Sequence, residues 1–230
     1  MKIYSCIVFP LYDTVGLFLR LLKRTVVASD LLVSELKTIV GESMSKIKVK
    51  DIEFNYELLN EAGKKQPVVF ISGYTGDINA WRGYAESLAE KGHPALIFDN
   101  QGIGQTTELN VGPLTVKAMA NNTFSLIKAL KIKNPTIVSF AWGGCIAQQL
   151  AHDYPEAVRQ LILVSSVMKF GPNARHNCEL LTIYREKNEW AAYASLIYNT
   201  CFSKAWKTEN AEKDFQQMLL PILPKTQTPE

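Results

Sequence analysis

The chain is poor in the residues on which metal and disulfide chemistry depend: its 230 residues include four cysteines and three histidines. Cys6, Cys145, Cys178 and Cys201 form no CxxC pair and no Cys/His spacing suited to a metal. The sequence therefore predicts no metal site and no cofactor, and reads the four as reduced packing thiols of a cytoplasmic protein. A block of like charge is also missing. The 25 basic and 22 acidic residues leave a net +3 with no concentrated stripe, which speaks against a nucleic-acid partner. No clean membrane span is present, because the apolar stretch from Ile3 to Leu22 is interrupted by Pro10, Asp13, Gly16 and Arg20. Nor does it carry a convincing signal-peptide cleavage site. The remainder is ordinary: 47% hydrophobic and 20% charged, the balance of a soluble globular protein long enough for one domain, with or without an appendage.

Three regions differ in pattern. In residues 1–43, Leu17, Leu21, Leu22, Leu31, Leu32 and Leu36 fit one face of a helix loosely, as in a packed or interfacial segment. Met44, however, opens a strand-like alternation typical of a domain start, and Gly41-Glu42 is encodable by a purine-rich ribosome-binding sequence. Two readings of residues 1–43 stand: an N-terminal extension, or untranslated upstream sequence. Residues 44–170 alternate strand and helix. Ile47–Leu58 reads as a hairpin arm with its turn at Glu61–Lys65. Val68–Ser72, Ala95–Phe98, Thr136–Ser139 and Leu161–Val164 are short apolar runs expected to be buried strands. Trp81–Lys91, Leu114–Leu130 and Gly143–Tyr154 have helical spacing between them. This order predicts an α/β domain, a mostly parallel sheet with helices on both faces. Residues 171–230 are expected to be helices only (Cys178–Glu186, Trp190–Phe202, Glu212–Leu220), a layer over the sheet followed by the proline-bearing tail Pro221, Pro224, Pro229.

The segment Ile137-Val-Ser-Phe-Ala-Trp-Gly-Gly-Cys-Ile-Ala carries the chemistry. A strand turns sharply into a helix of small residues, a geometry that lifts one side chain above the sheet edge at the positive end of the helix. That side chain is Ala141. Here the chain resembles the α/β-hydrolase superfamily, in its esterase, lactonase and peptidase-like branch. The family pattern G-x-S-x-G-G is Ser139-Phe140-Ala141-Trp142-Gly143-Gly144, with alanine where the family has its nucleophilic serine. Upstream, Phe70-Ile-Ser-Gly73-Tyr74-Thr75-Gly76 is similar to the family's HGxxG oxyanion loop, with Ser72 in place of histidine. Asp99-Asn-Gln-Gly102-Ile-Gly104-Gln-Thr106 is similar to its D-x-R-G-x-G-x-S turn. The resemblance implies backbone N–H donors to an oxyanion at Tyr74 and Trp142, elbow and turn glycines at Gly73, Gly76, Gly143 and Gly144, and a small ester-like substrate or ligand.

The same resemblance implies an acid and a histidine after the nucleophile. Only 89 residues follow Ala141, and the last of them read as cap helices, so the final strands of the fold are expected to be missing. His93, His152 and His176 are not placed to replace the base, and Ser139 and Cys145 miss the elbow tip. Asp99 reads as a turn-stabilising carboxylate. The expectation is an inactive member of the family. A non-catalytic ligand binder, a fragment of a split or decayed gene, and an engineered Ser→Ala trap are the alternatives. Without a following strand, Leu161–Val164 is expected to form an exposed sheet edge open to self-association.

Overall fold

The computed structural model describes residues 45–74, 76–107, 114–168, 171–201 and 211–221. The readings for residues 1–43 and for Pro224 and Pro229 lie outside them, as do the side chains of Cys6 and Cys201. Among the described residues six strands form one sheet: β1 (Ser45–Val49), β2 (Ile52–Leu59), β3 (Val68–Ile71), β4 (Ala95–Phe98), β5 (Thr136–Phe140) and β6 (Gln160–Val164). Their order is β1-β2-β4-β3-β5-β6. β1 and β2 are antiparallel, as are β2 and β4, and the remaining pairs are parallel. The sheet is mixed but mostly parallel, as the alternation of elements predicts.

Helices cover both faces. α1 (Arg82–Glu90) packs over one, following a short 3₁₀ turn Ile78–Trp81, and that face buries Val68, Phe70, Ala95 and Ile97. α2 (Val116–Ala129) and α3 (Gly143–Asp153) cover the other face, with Met119, Leu126, Ile146 and Leu150 packed on Val69, Ile71, Leu96 and Ile137. β3 and β4 are buried throughout because alternate side chains enter opposite cores, which is why they read as unbroken apolar runs. Capping fixes the helix starts. Thr115 Oγ1 accepts from Ala118 N at 3.1 Å, and Asp77 Oδ1 accepts from Asn79 N at 3.0 Å. α2 and α3 are held together by the stacked rings of Phe124 and Tyr154, 3.7 Å between centroids, and by Tyr154 Oη donating to Asn121 Oδ1 at 3.0 Å. Such a ring pair contributes about 0.5–1.5 kcal/mol beyond its buried area.

One sequence expectation needs correction. The hairpin turn lies at Lys50-Asp51, not at Glu61–Lys65: Ser45 pairs with Tyr56 and Val49 with Ile52. Lys50 adopts a left-handed φ of 57° there. The signal was a change of phase, since inward residues run odd through Ile47 and Val49 and even through Ile52, Phe54 and Tyr56. Residues 61–65 instead lead from β2 to β3.

Beyond β6 come α4 (Pro172–Glu186), α5 (Trp190–Cys201) and α6 (Ala211–Leu219). α4 begins a turn and a half earlier than its apolar stripe suggests, because Gly171-Pro172 starts it in polar sequence. These helices pack on one another around Tyr193, Ala194, Tyr198 and Phe215. Among the described residues no helix is long and apolar enough to cross a membrane, and β6 pairs with β5 alone.

Candidate functional site

The carboxyl ends of β3, β4 and β5 converge on Ala141. β5 ends at Phe140 and α3 begins at Gly143, so the chain reverses within two residues. Ala141 takes the strain of that reversal, with φ 49°, in a region that costs a non-glycine residue about 1–2 kcal/mol. Its N–H donates to Val164 O at 3.0 Å and its carbonyl accepts from Gly144 N at 3.0 Å, so the turn is clamped on both sides.

Two glycines make the turn possible. A Cβ on Gly143 would lie 2.3 Å from Ser72 O and 2.7 Å from Ile71 O, both backbone atoms. On Gly144 it would lie 2.1 Å from Ser166 Oγ. The first helical turn of α3 is thus pressed against the end of β3 on one side and the end of β6 on the other. Ser165, which follows β6, is also left-handed, and its buried hydroxyl has no partner among the described residues.

The loop after β3 lies directly against the elbow. A Cβ on Gly73 would meet Ala141 Cβ at 3.5 Å and Phe140 O at 3.4 Å, and Gly76 closes the loop by donating to Gly73 O at 3.2 Å. The rings of Tyr74 and Trp142 meet edge to face with centroids 6.1 Å apart. Ser72 is buried, its carbonyl accepting from Asn100 Nδ2 at 3.0 Å. The structure therefore brings Gly73, Tyr74, Ala141, Trp142, Gly143 and Gly144 together.

Asp99, at the end of β4, is fully buried and serves as a junction. Its carboxylate accepts from Asn55 Nδ2 at 2.7 Å, Ile78 N at 2.6 Å and Gln105 N at 2.9 Å. It links β2, the turn before α1 and its own turn, where Gly104 has room for no Cβ because the carboxylate would lie 2.4 Å away. Burial outweighs these donors and holds the carboxyl above its ordinary pKa. Asn55 was not legible as a partner in the sequence, since it sits 44 residues away inside a strand.

The remaining nucleophiles and bases lie elsewhere. Ser139 is buried and its hydroxyl donates to Ile162 O at 3.4 Å. The Cys145 thiol donates to Val167 O at 3.4 Å, and burial pushes its pKa up, away from the reactive thiolate. Cys145 and Cys178 are both free thiols, but Cys178 is exposed on α4 and is not the packing thiol the sequence reading expects. His93 precedes β4 and its Nδ1 lies 2.8 Å from Gln66 O, at the amino ends of the strands and so opposite the elbow. His152 is in the last turn of α3, about 13 Å along the helix from Gly143. His176 is exposed beside Glu179, at 3.8 Å. A cavity of about 520 Å³ lined by Tyr56, Glu57, Glu61, Leu130 and Lys131 lies between β2 and the end of α2, away from the elbow.

A family model described as the alpha/beta hydrolase fold matches residues 66–183. The candidate carbamate hydrolase RutD of Azorhizobium caulinodans is 29% identical over 115 residues, 50% of this chain and 42% of that protein. Its counterpart in Klebsiella pneumoniae is 34% identical over 114 residues, 47% of this chain and 41% of the other. The matched stretch thus spans about two fifths of the length of these relatives. Among solved structures, an enol-lactonase from Burkholderia xenovorans gives a TM-score of 0.63 at 19% identity, covering 78% of this chain and 66% of that one. A hydrolase from Pseudomonas aeruginosa gives 0.62 at 21% identity, covering 78% and 68%. At those identities the structures bear on the fold alone.

Proposed function

The chain belongs to the alpha/beta hydrolase fold family, and on that premise we propose that it binds a small ester-, lactone- or carbamate-like molecule above Ala141 without cleaving it through a serine nucleophile. One observation carries the reading: the residue at the tip of the strained elbow, at φ 49°, presents a methyl group and no oxygen. In this arrangement the ligand's carbonyl oxygen accepts from the backbone N–H groups of Tyr74 and Trp142, at the positive end of α3. The carbonyl is polarised but meets no attacking group. Loss of triad members in serine hydrolases costs about 10⁴- to 10⁶-fold in kcat, leaving binding and oxyanion stabilisation. The helices α4–α6 form the cap over this site, and the free thiols fit a reducing, cytoplasmic compartment.

The test uses p-nitrophenyl butyrate as both substrate and ligand. Hydrolysis stays at the buffer blank, a fluorophosphonate probe leaves the protein unlabelled, and calorimetry detects binding that Ala141→Leu abolishes. Ala141→Ser alone gains no turnover, because a serine without a general base is a weak nucleophile at neutral pH. Burst kinetics, or a label on Ser139 or Cys145, would overturn the proposal. A second reading, one part of a split or decayed hydrolase, is favoured by β6, which has a single neighbour among the described residues. DNA flanking the gene decides it: a downstream frame with an acidic loop and a histidine loop would mark a split enzyme.

A further inference from the structure

We propose that Tyr193 and Arg185 form an anion-recognition pair in the helical layer, so that the ligand carries a carboxylate remote from the carbonyl held at the elbow. The assignment rests on the reading of the elbow as a ligand site and names the chemical class of the ligand.

Tyr193 lies near the start of α5 and is completely buried, packed among Leu181, Tyr184, Trp190 and Leu219, with the Trp190 ring edge-on at 5.9 Å. A phenylalanine would make every one of those contacts. The hydroxyl adds a polar atom that is buried without a hydrogen-bond partner among the described residues. An unsatisfied buried hydroxyl destabilises the protein unless something arrives to meet it.

Arg185 supplies the charge. Cys178, Leu181 and Arg185 recur at i, i+3 and i+7 on α4, which places them along one face of that helix. Leu181 packs on the cluster that Tyr193 and Ala194 form on α5, so this face turns toward α5. The half-buried Arg185 makes no ion pair among the described residues. Its place in the last turn of α4 suits a cation. Burial holds the Tyr193 phenol above its ordinary pKa, as a neutral donor; Tyr74, Arg185 and Cys178 are its ionisable neighbours, and of these Arg185 alone is charged at neutral pH. Tyr74 connects the pair to the elbow, since its ring abuts that of Trp142. A hydroxyl and a guanidinium that both lack partners among the described residues can together accommodate a carboxylate.

The experiment measures equilibrium binding of two esters of nearly equal shape, monomethyl succinate and methyl valerate, to the full chain. Monomethyl succinate binds about tenfold tighter or more, as expected for a charge-assisted contact. Arg185→Gln and Tyr193→Phe each remove that preference and leave the affinity for methyl valerate unchanged. Tyr193→Phe also raises Tm of the unliganded protein by about 2–4 °C, because it deletes the orphaned hydroxyl. Equal affinities for the two esters overturn the pair while leaving the elbow site standing. A fall in Tm with Tyr193→Phe overturns it as well, by showing that the hydroxyl is already satisfied. If neither ester binds, the elbow reading falls and the anion pair falls with it.

Discussion

Substituting Gly143 by alanine tests whether the elbow is held by backbone contact. The added Cβ would lie 2.3 Å from Ser72 O, 2.7 Å from Ile71 O and 2.9 Å from Ser72 C. An ordinary carbon–oxygen contact needs about 3.2–3.4 Å, so roughly 1 Å must be found. None of these atoms can rotate away. Ile71 pairs with Ser139 at the end of β3, a strand flanked by β4 and β5. On the other side, α3 is anchored by Ile146, Ala147 and Leu150, all inaccessible to solvent. Overpacking typically costs about 1–3 kcal/mol and, here, where backbone must move, about 3–5 kcal/mol, against a gain of up to about 1 kcal/mol from the better helix propensity of alanine. The expected net loss is about 2–4 kcal/mol, a large share of a typical 5–15 kcal/mol domain stability. In urea, with a slope of about 2 kcal/mol/M, the midpoint falls by about 1–2 M. The control is Gly83→Ala on α1, where nothing lies within 4 Å of the new Cβ and stability rises by up to about 1 kcal/mol. If Gly143→Ala unfolds at the wild-type midpoint with the same slope, the packing of α3 against β3 is not as described.

Three further outcomes follow from the same contacts. Ala141→Gly is neutral or stabilising by up to about 1 kcal/mol, since relief of the left-handed φ offsets the added chain entropy, while Ala147→Gly inside α3 loses at least about 1 kcal/mol; thermal melts of the two that fall equally would remove the strain argument. Asp99 has a folded-state pKa above its unfolded value of 3.8, so the folded state binds more protons between those values and stability declines as pH rises through that window. Denaturant melts from about pH 4 to about pH 7 therefore show the advantage of wild type over Asp99→Asn shrinking, and a growing advantage would reverse the sign. At β6, the Val164 carbonyl and the register with β5 turn Gln160, Ile162 and Val164 inward, which leaves the N–H and C=O of Leu161 and Leu163 facing the open edge. Concentration-dependent dimers on size-exclusion chromatography are expected, and Leu163→Pro, which removes an outward N–H, yields monomer; dimers that persist in the variant would exclude that edge.

What was legible in the sequence is what local pattern controls. β3 and β4 announced themselves as short apolar runs because both their faces are buried, and the elbow was visible because strand, small residues and helix follow one another without a gap. The hairpin at Lys50-Asp51 escaped because polar residues continue the alternation through the turn, and only the change of phase from Val49 to Ile52 marks it. The start of α4 escaped because its first two turns have no buried residue to produce a periodicity. At the site, Ala141, Gly143 and Gly144 were legible from spacing, whereas Asn55 on Asp99 and the neighbours of Tyr193 depend on contacts between distant segments. No local motif encodes those, and nothing in the sequence pairs an arginine with a tyrosine eight residues on in the helices after β6.

The elbow also separates two properties that a catalytic serine normally joins. Its shape comes from Gly143 against Ser72 and Ile71, Gly144 against Ser166, Ala141 N–H on Val164 O and the loop at Gly73. None of these contacts involves a side-chain oxygen at position 141. Under the proposed function, alanine at position 141 therefore removes the nucleophile without disturbing the support around it. Had the turn depended on a serine hydroxyl bonded to its neighbours, the alanine would have left a buried group unpaired and weakened the turn. Strain at Ala141, with the packing that sustains it, is compatible with the proposed binding without turnover. The strain at position 141 needs packing to hold it, and that packing is independent of the chemistry.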